Sequence, residues 1–291
     1  MNTKASSRFR RRLSLVLVVC CLVGTTSVLG VSAASPVFPQ GAVPTEIHLD
    51  GKEVLAGECV IMDSITYVPL RNFCDLFDEN KITWNGRTAT ATVENEHLTL
   101  TVQSGALYII ANGRYFYTVG AVKNLGGHLY VPIRPLARAL DTALEWNATA
   151  RRVELTSPDD GIYAADRASY SSDDVYWLSR IISAEAGGEP FRGQIAVGNV
   201  VLNRMRSREY PNTIYGVIFD RKHGTQFSPV ALGTIYRTPT ASAVVAAKIC
   251  LEGYSLNDRV LFFVNPRLAT STWIERNRTY EFTVGNHNFY S

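Results

Sequence analysis

From residue 46 to 156 apolar and polar positions alternate in short runs, the period-two pattern of half-buried strands. Thr88-Ala89-Thr90-Ala91-Thr92-Val93, His97-Leu98-Thr99-Leu100-Thr101-Val102 and Ala150-Arg151-Arg152-Val153-Glu154-Leu155 show it best. From 173 the spacing changes. Leu178, Ile181, Ile182 and Glu185 fall at i, i+3, i+4 and i+7, one face of a helix. Ser172 is the expected N-cap, Asp173 and Asp174 suit the positive helix end, and Gly187-Gly188-Glu189-Pro190 stops the helix. A second helix is predicted from about 193 to 207. Its run from Ile195 to Met205 carries so little polar surface that it must be buried on most sides, with Asn203, Arg204 and Arg206 marking a polar end. Thr238-Pro239 opens a third helix with the inner stripe Ala243, Val244, Ala247 and Leu251, ended by Gly253. Residues 260–264 read as an extended core segment and 280–289 as a hairpin. The predicted fold class is α+β in two domains: a small α+β repeat module, then an α-rich domain with a short β-hairpin.

The front half repeats itself. Tyr67-Val68-Pro69-Leu70-Arg71 recurs 63 positions later as Tyr130-Val131-Pro132-Ile133-Arg134. Ile82-Thr83-Trp84-Asn85 recurs 62 positions later as Leu144-Glu145-Trp146-Asn147. Each unit reads as a strand, a short helix (72–77 and 135–140) and a hairpin around Trp-Asn. Tyr67, Tyr130, Trp84 and Trp146 are read as core aromatics, the alternative being a sugar platform. On these motifs residues 46–156 resemble the bacterial extracytoplasmic domain named after the N-terminal stalk of copper amine oxidase. This implies a binding or spacer module, with a cell-wall or envelope protein as a partner. The name carries no copper here, because His48, His97 and His128 are scattered without metal-ligand spacing.

Composition excludes several classes. With 46% hydrophobic and 19% charged residues the chain is not mainly disordered. The formal charge of +3 misleads: the first 34 residues hold Lys4, Arg8, Arg10, Arg11 and Arg12 and no acid. The remainder has 24 basic and 26 acidic residues, a net of −2, so no basic field for nucleic acid survives. The basic start, the apolar stretch from Leu13 to Val31 and the small residues Ser32-Ala33-Ala34 read as a signal peptide over 1–34, with an uncleaved anchor as the alternative. Either places the rest outside the cytoplasm, secreted or associated with the wall or spore envelope. Linkers are expected at 35–45 and 157–172. Cys59 and Cys74 are read as either a bridge or two buried thiols, and Cys250 as a small core residue.

Chemistry concentrates after 173. Glu185 shares a helix face with three apolar side chains. Burial there would raise its pKa and let it hold a proton near neutrality, as a general acid must; a solvated helix-end Glu is the alternative. Glu189, beyond the two glycines, is read as structural, capping a helix or accepting a backbone amide. No His-Glu-x-x-His motif, activated Cys-His pair or phosphate loop is present. Ala184-Glu185-Ala186-Gly187-Gly188-Glu189-Pro190, Gly193-Gln194-Ile195-Ala196-Val197-Gly198-Asn199, Gln226-Phe227-Ser228, Phe263-Val264-Asn265-Pro266 and Gly285-Asn286-His287-Asn288-Phe289-Tyr290 together resemble the spore-cortex-lytic cell wall hydrolase family over 173–291. The resemblance implies a lysozyme-like lytic transglycosylase of peptidoglycan glycan strands, needing no cofactor, with Glu185 as the catalytic acid/base. Gln226, Ser228, Asn265 and Tyr280 are candidate sugar clamps. Trp273 and Phe227 either stack on sugar or pack the core. The rival readings are an N-acetylmuramoyl-L-alanine amidase and a non-catalytic wall-binding envelope protein.

Overall fold

In the computed structural model, which describes residues 38–164, 168, 170–222 and 226–291, strands give way to helices near 171. The expected signal segment lies outside the described residues. The front region is mostly β-sheet. In chain order it runs β1 Val43–Pro44, β2 Ile47–Leu49, β3 Lys52–Val54, β4 Val60–Met62, β5 Ile65–Pro69, α1 Leu70–Cys74, β6 Lys81–Asn85 and β7 Thr90–Glu94. It continues with β8 Thr99–Gln103, β9 Tyr108–Ala111, β10 Arg114–Tyr117, β11 Lys123–Leu125, β12 His128–Pro132, α2 Ile133–Ala139, β13 Ala143–Asn147 and β14 Arg152–Thr156. Three sheets result, ordered β1-β4-β5-β12-β11, β10-β9-β8-β7-β6 and β13-β14-β2-β3.

The duplication sets this topology. β5 and β12 pair antiparallel with Val68 opposite Val131, residues that occupy the same place in the two repeats. The copies therefore meet about a local two-fold. Pro69 and Pro132 end their strands and sit at the N-caps of α1 and α2, since proline offers no N–H to a ladder but suits a helix entry. Both helices begin two residues before the expected 72 and 135. Asn85 Oδ1 accepts from the Arg87 N–H (3.0 Å), and Asn147 Oδ1 from the Ala150 N–H (2.9 Å). These side-chain turns reverse the chain after each Trp.

The aromatic reading needs correcting in part. Tyr67 and Tyr130 are 1% exposed and belong to a core, but Trp84 and Trp146 are 52% and 42% exposed. The tryptophans lie on β6 and β13, the outer strands of their sheets, where among the described residues no further strand covers them. Cys59 and Cys74 are free, buried thiols, each pushed up to about 12 by burial. Pairing of β1 with β4 starts inside the expected 35–45 linker. The described part of 157–164 lies against the sheets: Ser157 donates to Asp50 from its N–H (3.1 Å), and the Tyr163 ring sits 4.7 Å from Phe77.

The second region is helix-rich with a small sheet. It comprises α3 Ser172–Ala186, α4 Phe191–Arg206, α5 Ile214–Phe219, α6 Ser228–Ala231, a 3-10 turn Thr234–Tyr236, α7 Ala241–Leu251, β15 Phe262–Val264, α8 Trp273–Asn277, β16 Tyr280–Val284 and β17 His287–Tyr290. The sheet order is β15-β17-β16. Both regions belong to one compact unit, 36–291, joined by a packed face. Tyr117 of β10 is buried in the helical core, its ring 4.5 Å from Tyr254 and 6.3 Å from Phe191. Arg114 of β10 pairs with Glu252 just past α7 at 2.8 Å, and Arg138 of α2 donates to the Glu252 carbonyl at 2.6 Å. Lys248 of α7 lies 4.6 Å over the Tyr115 ring.

α3, α4 and α7 pack on one another around Leu178, Ile182, Val197, Val200, Val201 and Ala247, all fully buried. Gly198 of α4 lets them approach: a Cβ there would lie 2.7 Å from Cys250 Sγ and 2.9 Å from Ile182 Cδ1. Cys250 itself is a free, buried core thiol. Gly198→Val overfills this contact and is expected to cost about 1–3 kcal/mol, read as a lower urea midpoint with an unchanged m-value.

Candidate active site

The site grows from the end of α3. Ser171, not Ser172, is the N-cap: its Oγ accepts the Asp174 N–H, and Asp174 Oδ2 accepts the Ser171 N–H, both at 3.1 Å. A capping box needs its acid three residues after the cap, and only Ser171 has Asp174 there. Two to three turns later Leu178, Ile181 and Ile182 are fully buried, and Glu185 on the fourth turn extends their stripe to a half-buried position one residue before the helix ends.

Burial pushes the Glu185 carboxyl up from its ordinary 4.5 to about 7, and the positive charge of Arg204 opposes that rise. Glu185 makes no side-chain hydrogen bond among the described residues. Arg204, only 5% exposed, is held by the Leu261 carbonyl (2.7 Å) and by Gln226 Oε1 (3.4 Å). The rings of Tyr210, Phe227 and Phe262 surround its guanidinium at 5.1–5.4 Å. This cage lets a cation stay buried near Glu185 without a salt bridge among the described residues.

Arg204, expected to mark the polar end of its helix, is buried. Asn199 and Asn203, one turn apart on α4, are buried too. Asn199 donates to the Tyr254 carbonyl (2.8 Å) and accepts from the Leu256 N–H (2.9 Å). Asn203 donates to the Asn257 and Val260 carbonyls, both at 3.0 Å. The signal was available: two Asn at i and i+4 inside an otherwise apolar helix mark an inward polar stripe.

The clamp candidates divide. Gln226 joins the Glu185–Arg204 neighbourhood. Ser228 is exposed at the start of α6, which packs on α3. Asn265 Oδ1 accepts from the Arg267 N–H at 3.1 Å in the turn after β15, and the Tyr280 hydroxyl shares a 2.9 Å hydrogen bond with Thr283 on β16. Among the described residues neither Asn265 nor Tyr280 bonds to Glu185. Phe227 is buried core, whereas Trp273 is 52% exposed beside Arg278.

Glu189 has a different environment from Glu185. Its carboxylate accepts the Asn286 N–H (2.8 Å) and side-chain amide (3.0 Å). Despite some burial, these bonds hold its pKa below the usual carboxylate range. It locks the β16–β17 turn, where Gly285 adopts φ +59° and a Cβ would run into Glu189 Oε2. Among the described residues no three His, Cys, Asp or Glu converge as a metal-ligand group.

Residues 188–290 match the family described as Cell Wall Hydrolase, and residues 48–155 match the Copper amine oxidase N-terminal domain. The spore cortex-lytic enzyme of Bacillus cereus is 40% identical over 105 residues, 36% of this chain and 39% of that protein. That of Bacillus subtilis is 36% identical over 115 residues, 40% of this chain and 37% of that protein. The chain thus spans under two fifths of these curated relatives. The catalytic domain of the germination-specific lytic transglycosylase SleB from Bacillus anthracis is 36% identical, with 43% of this chain and 100% of that one covered and a TM-score of 0.39.

The raised Glu185 pKa has a stability consequence. The folded-state value exceeds the unfolded one, so protonation favours the fold. Stability is full below about 4.5, falls as pH rises toward 7 and stays lowered above it. Glu185→Gln removes the buried charge. It is expected to melt at a higher temperature than wild type at pH 8 and at the same temperature at pH 4, as differential scanning calorimetry will show.

Proposed function

We propose that this chain, whose residues 188–290 match the cell wall hydrolase family, acts outside the cytoplasm as a lytic transglycosylase that cuts the β-1,4 bond between N-acetylmuramic acid and N-acetylglucosamine. Spore cortex, the target in its relatives' names, is the first substrate to test. The observation that carries the reading is the state of Glu185, a half-buried carboxyl held near pH 7, with Arg204 as the charge acting on it. The family match opens at residue 188, so the role of Glu185 rests on this environment and on its motif.

The chemistry follows from one carboxyl. Hydrolases that use two carboxylates set them about 5–5.5 Å or ~6.5–9.5 Å apart. A transglycosylase needs no second one, because the muramic C6 hydroxyl is the nucleophile. Protonated Glu185 gives its proton to the leaving glycosidic oxygen. The carboxylate so formed then takes the proton of the C6 hydroxyl as that oxygen closes a 1,6-anhydro ring. A group that is acid in one half of the reaction and base in the other works best with a pKa near the working pH. Gln226 and Ser228, beside Arg204 and on a helix packed against α3, are the clamp residues this reading favours. Asn265 and Tyr280 extend the sugar contacts along the small sheet.

Purified sacculi digested with the enzyme should release muropeptides one water lighter than hydrolysis products. New amino termini without anhydro ends would instead establish an amidase, and wall binding without soluble products a non-catalytic protein. Glu185→Gln should lower glycan release by about 10²–10⁴-fold while the protein stays folded. Because the acid form begins the reaction, kcat/KM should fall as pH rises through about 7.

A further inference from the structure

The two repeats of the front region form two grooves of one design. The first, about 540 Å³, is lined by Pro132, Arg134, Leu144 and Trp146 together with Ser64 from the β4–β5 turn. The second, about 140 Å³, is lined by Pro69, Arg71, Ile82 and Trp84 together with Gly127 from the β11–β12 turn. Each of these five residues of the first groove stands 62 or 63 positions from its counterpart in the second. Each groove takes its helix and Trp strand from one repeat and its turn from the other, as the two-fold at Val68 and Val131 requires.

Two positions in this pair lack a packing reason to recur. Trp84 and Trp146 are about half exposed, and Arg71 and Arg134 are exposed. Neither Arg has a carboxylate partner among the described residues. Their neighbours have drifted between the copies, Asn72 to Pro135, Thr83 to Glu145 and Ile65 to His128. A core explains a repeated Tyr67 and Tyr130, which are buried, but not a repeated open indole beside a repeated guanidinium. An indole face offers a flat apolar platform, and an unpaired guanidinium favours a carboxylate or similar anion. The larger groove lies within the usual ~300–1,000 Å³ of ligand sites and the smaller one falls below it.

We propose that the Trp146–Arg134 groove binds a carboxylate-bearing saccharide, and that the Trp84–Arg71 groove makes a weaker second contact with the same polymer. This rests on the reading that the substrate is peptidoglycan, whose muramic units bear carboxylates through the lactyl group or stem peptide. The front region then holds the wall while Glu185 cuts it.

The test uses the full chain with Glu185→Gln, so that nothing is cleaved, pelleted with protein-free sacculi at physiological salt. Trp146→Ala and Arg134→Glu should each lower retention about tenfold or more, and Trp84→Ala by a smaller factor. Amidating the sacculus carboxylates should weaken the parent protein and leave Arg134→Glu unchanged, a result that misfolding of the Trp variant cannot imitate. Unchanged retention in Arg134→Glu overturns the proposal. So does binding that appears only when wall proteins are left on the sacculi, which would make the grooves a protein-docking surface. With Glu185 intact, cutting of soluble glycan fragments should be the same with and without the groove substitutions. Arg134-dependent retention without any glycan release would remove the catalytic reading and keep this one. Glycan release with Arg134-independent retention would do the reverse.

Discussion

The polar row on α4 is the constraint on which the helical half depends. The chain from Tyr254 to Leu261 runs beside a buried helix without a strand of its own, and its carbonyls must find donors there. Asn199, then Asn203 one turn later, then its neighbour Arg204 supply them in order. That attachment delivers the chain to β15, β15 orders β17 and β16, and the β16–β17 turn returns to Glu189. Arg204 ends the row beside Glu185. One guanidinium thus anchors the small sheet and sets the charge that the carboxyl feels.

Two carboxylates four residues apart have opposite fates, for reasons visible in their surroundings. Glu185 loses water without gaining a donor, and the opposing charge of Arg204 only partly offsets that loss. Glu189 gains two donors from Asn286 and stays ionised. Proton exchange near neutral pH belongs to the first and structural locking to the second. Separation of two acids by environment is how one fold assigns distinct roles to the same side chain.

Much of this was legible in the sequence. The repeat showed itself because proline and Trp-Asn punctuate both copies, and the helix of Glu185 because its apolar spacing is regular. The role read for Glu189, accepting a backbone amide, is the one the structure displays. What stayed hidden depends on neighbours that are distant in sequence. Trp84 and Trp146 alternate like core residues, and only the strand order puts them on outer strands. Arg204 sits among helix-end residues, and nothing local announces the three rings that enclose it. The N-cap fell one residue off because Ser171 and Ser172 are equivalent until the reach of Asp174 is counted.

The packed face between the two regions bears on how such proteins can be assembled from parts. Tyr117 belongs by sequence to the front region and by burial to the helical core, and Glu252 is 7% exposed with its ion-pair partner Arg114 supplied across the junction. A helical domain cut away here would carry a buried carboxylate without its counter-charge and an apolar face open to water, and a lost counter-charge is strongly destabilising. Recombination with another front region would therefore have to replace this side of α7 as well. The structural unit in this chain is the pair of regions with their shared face, larger than either region alone.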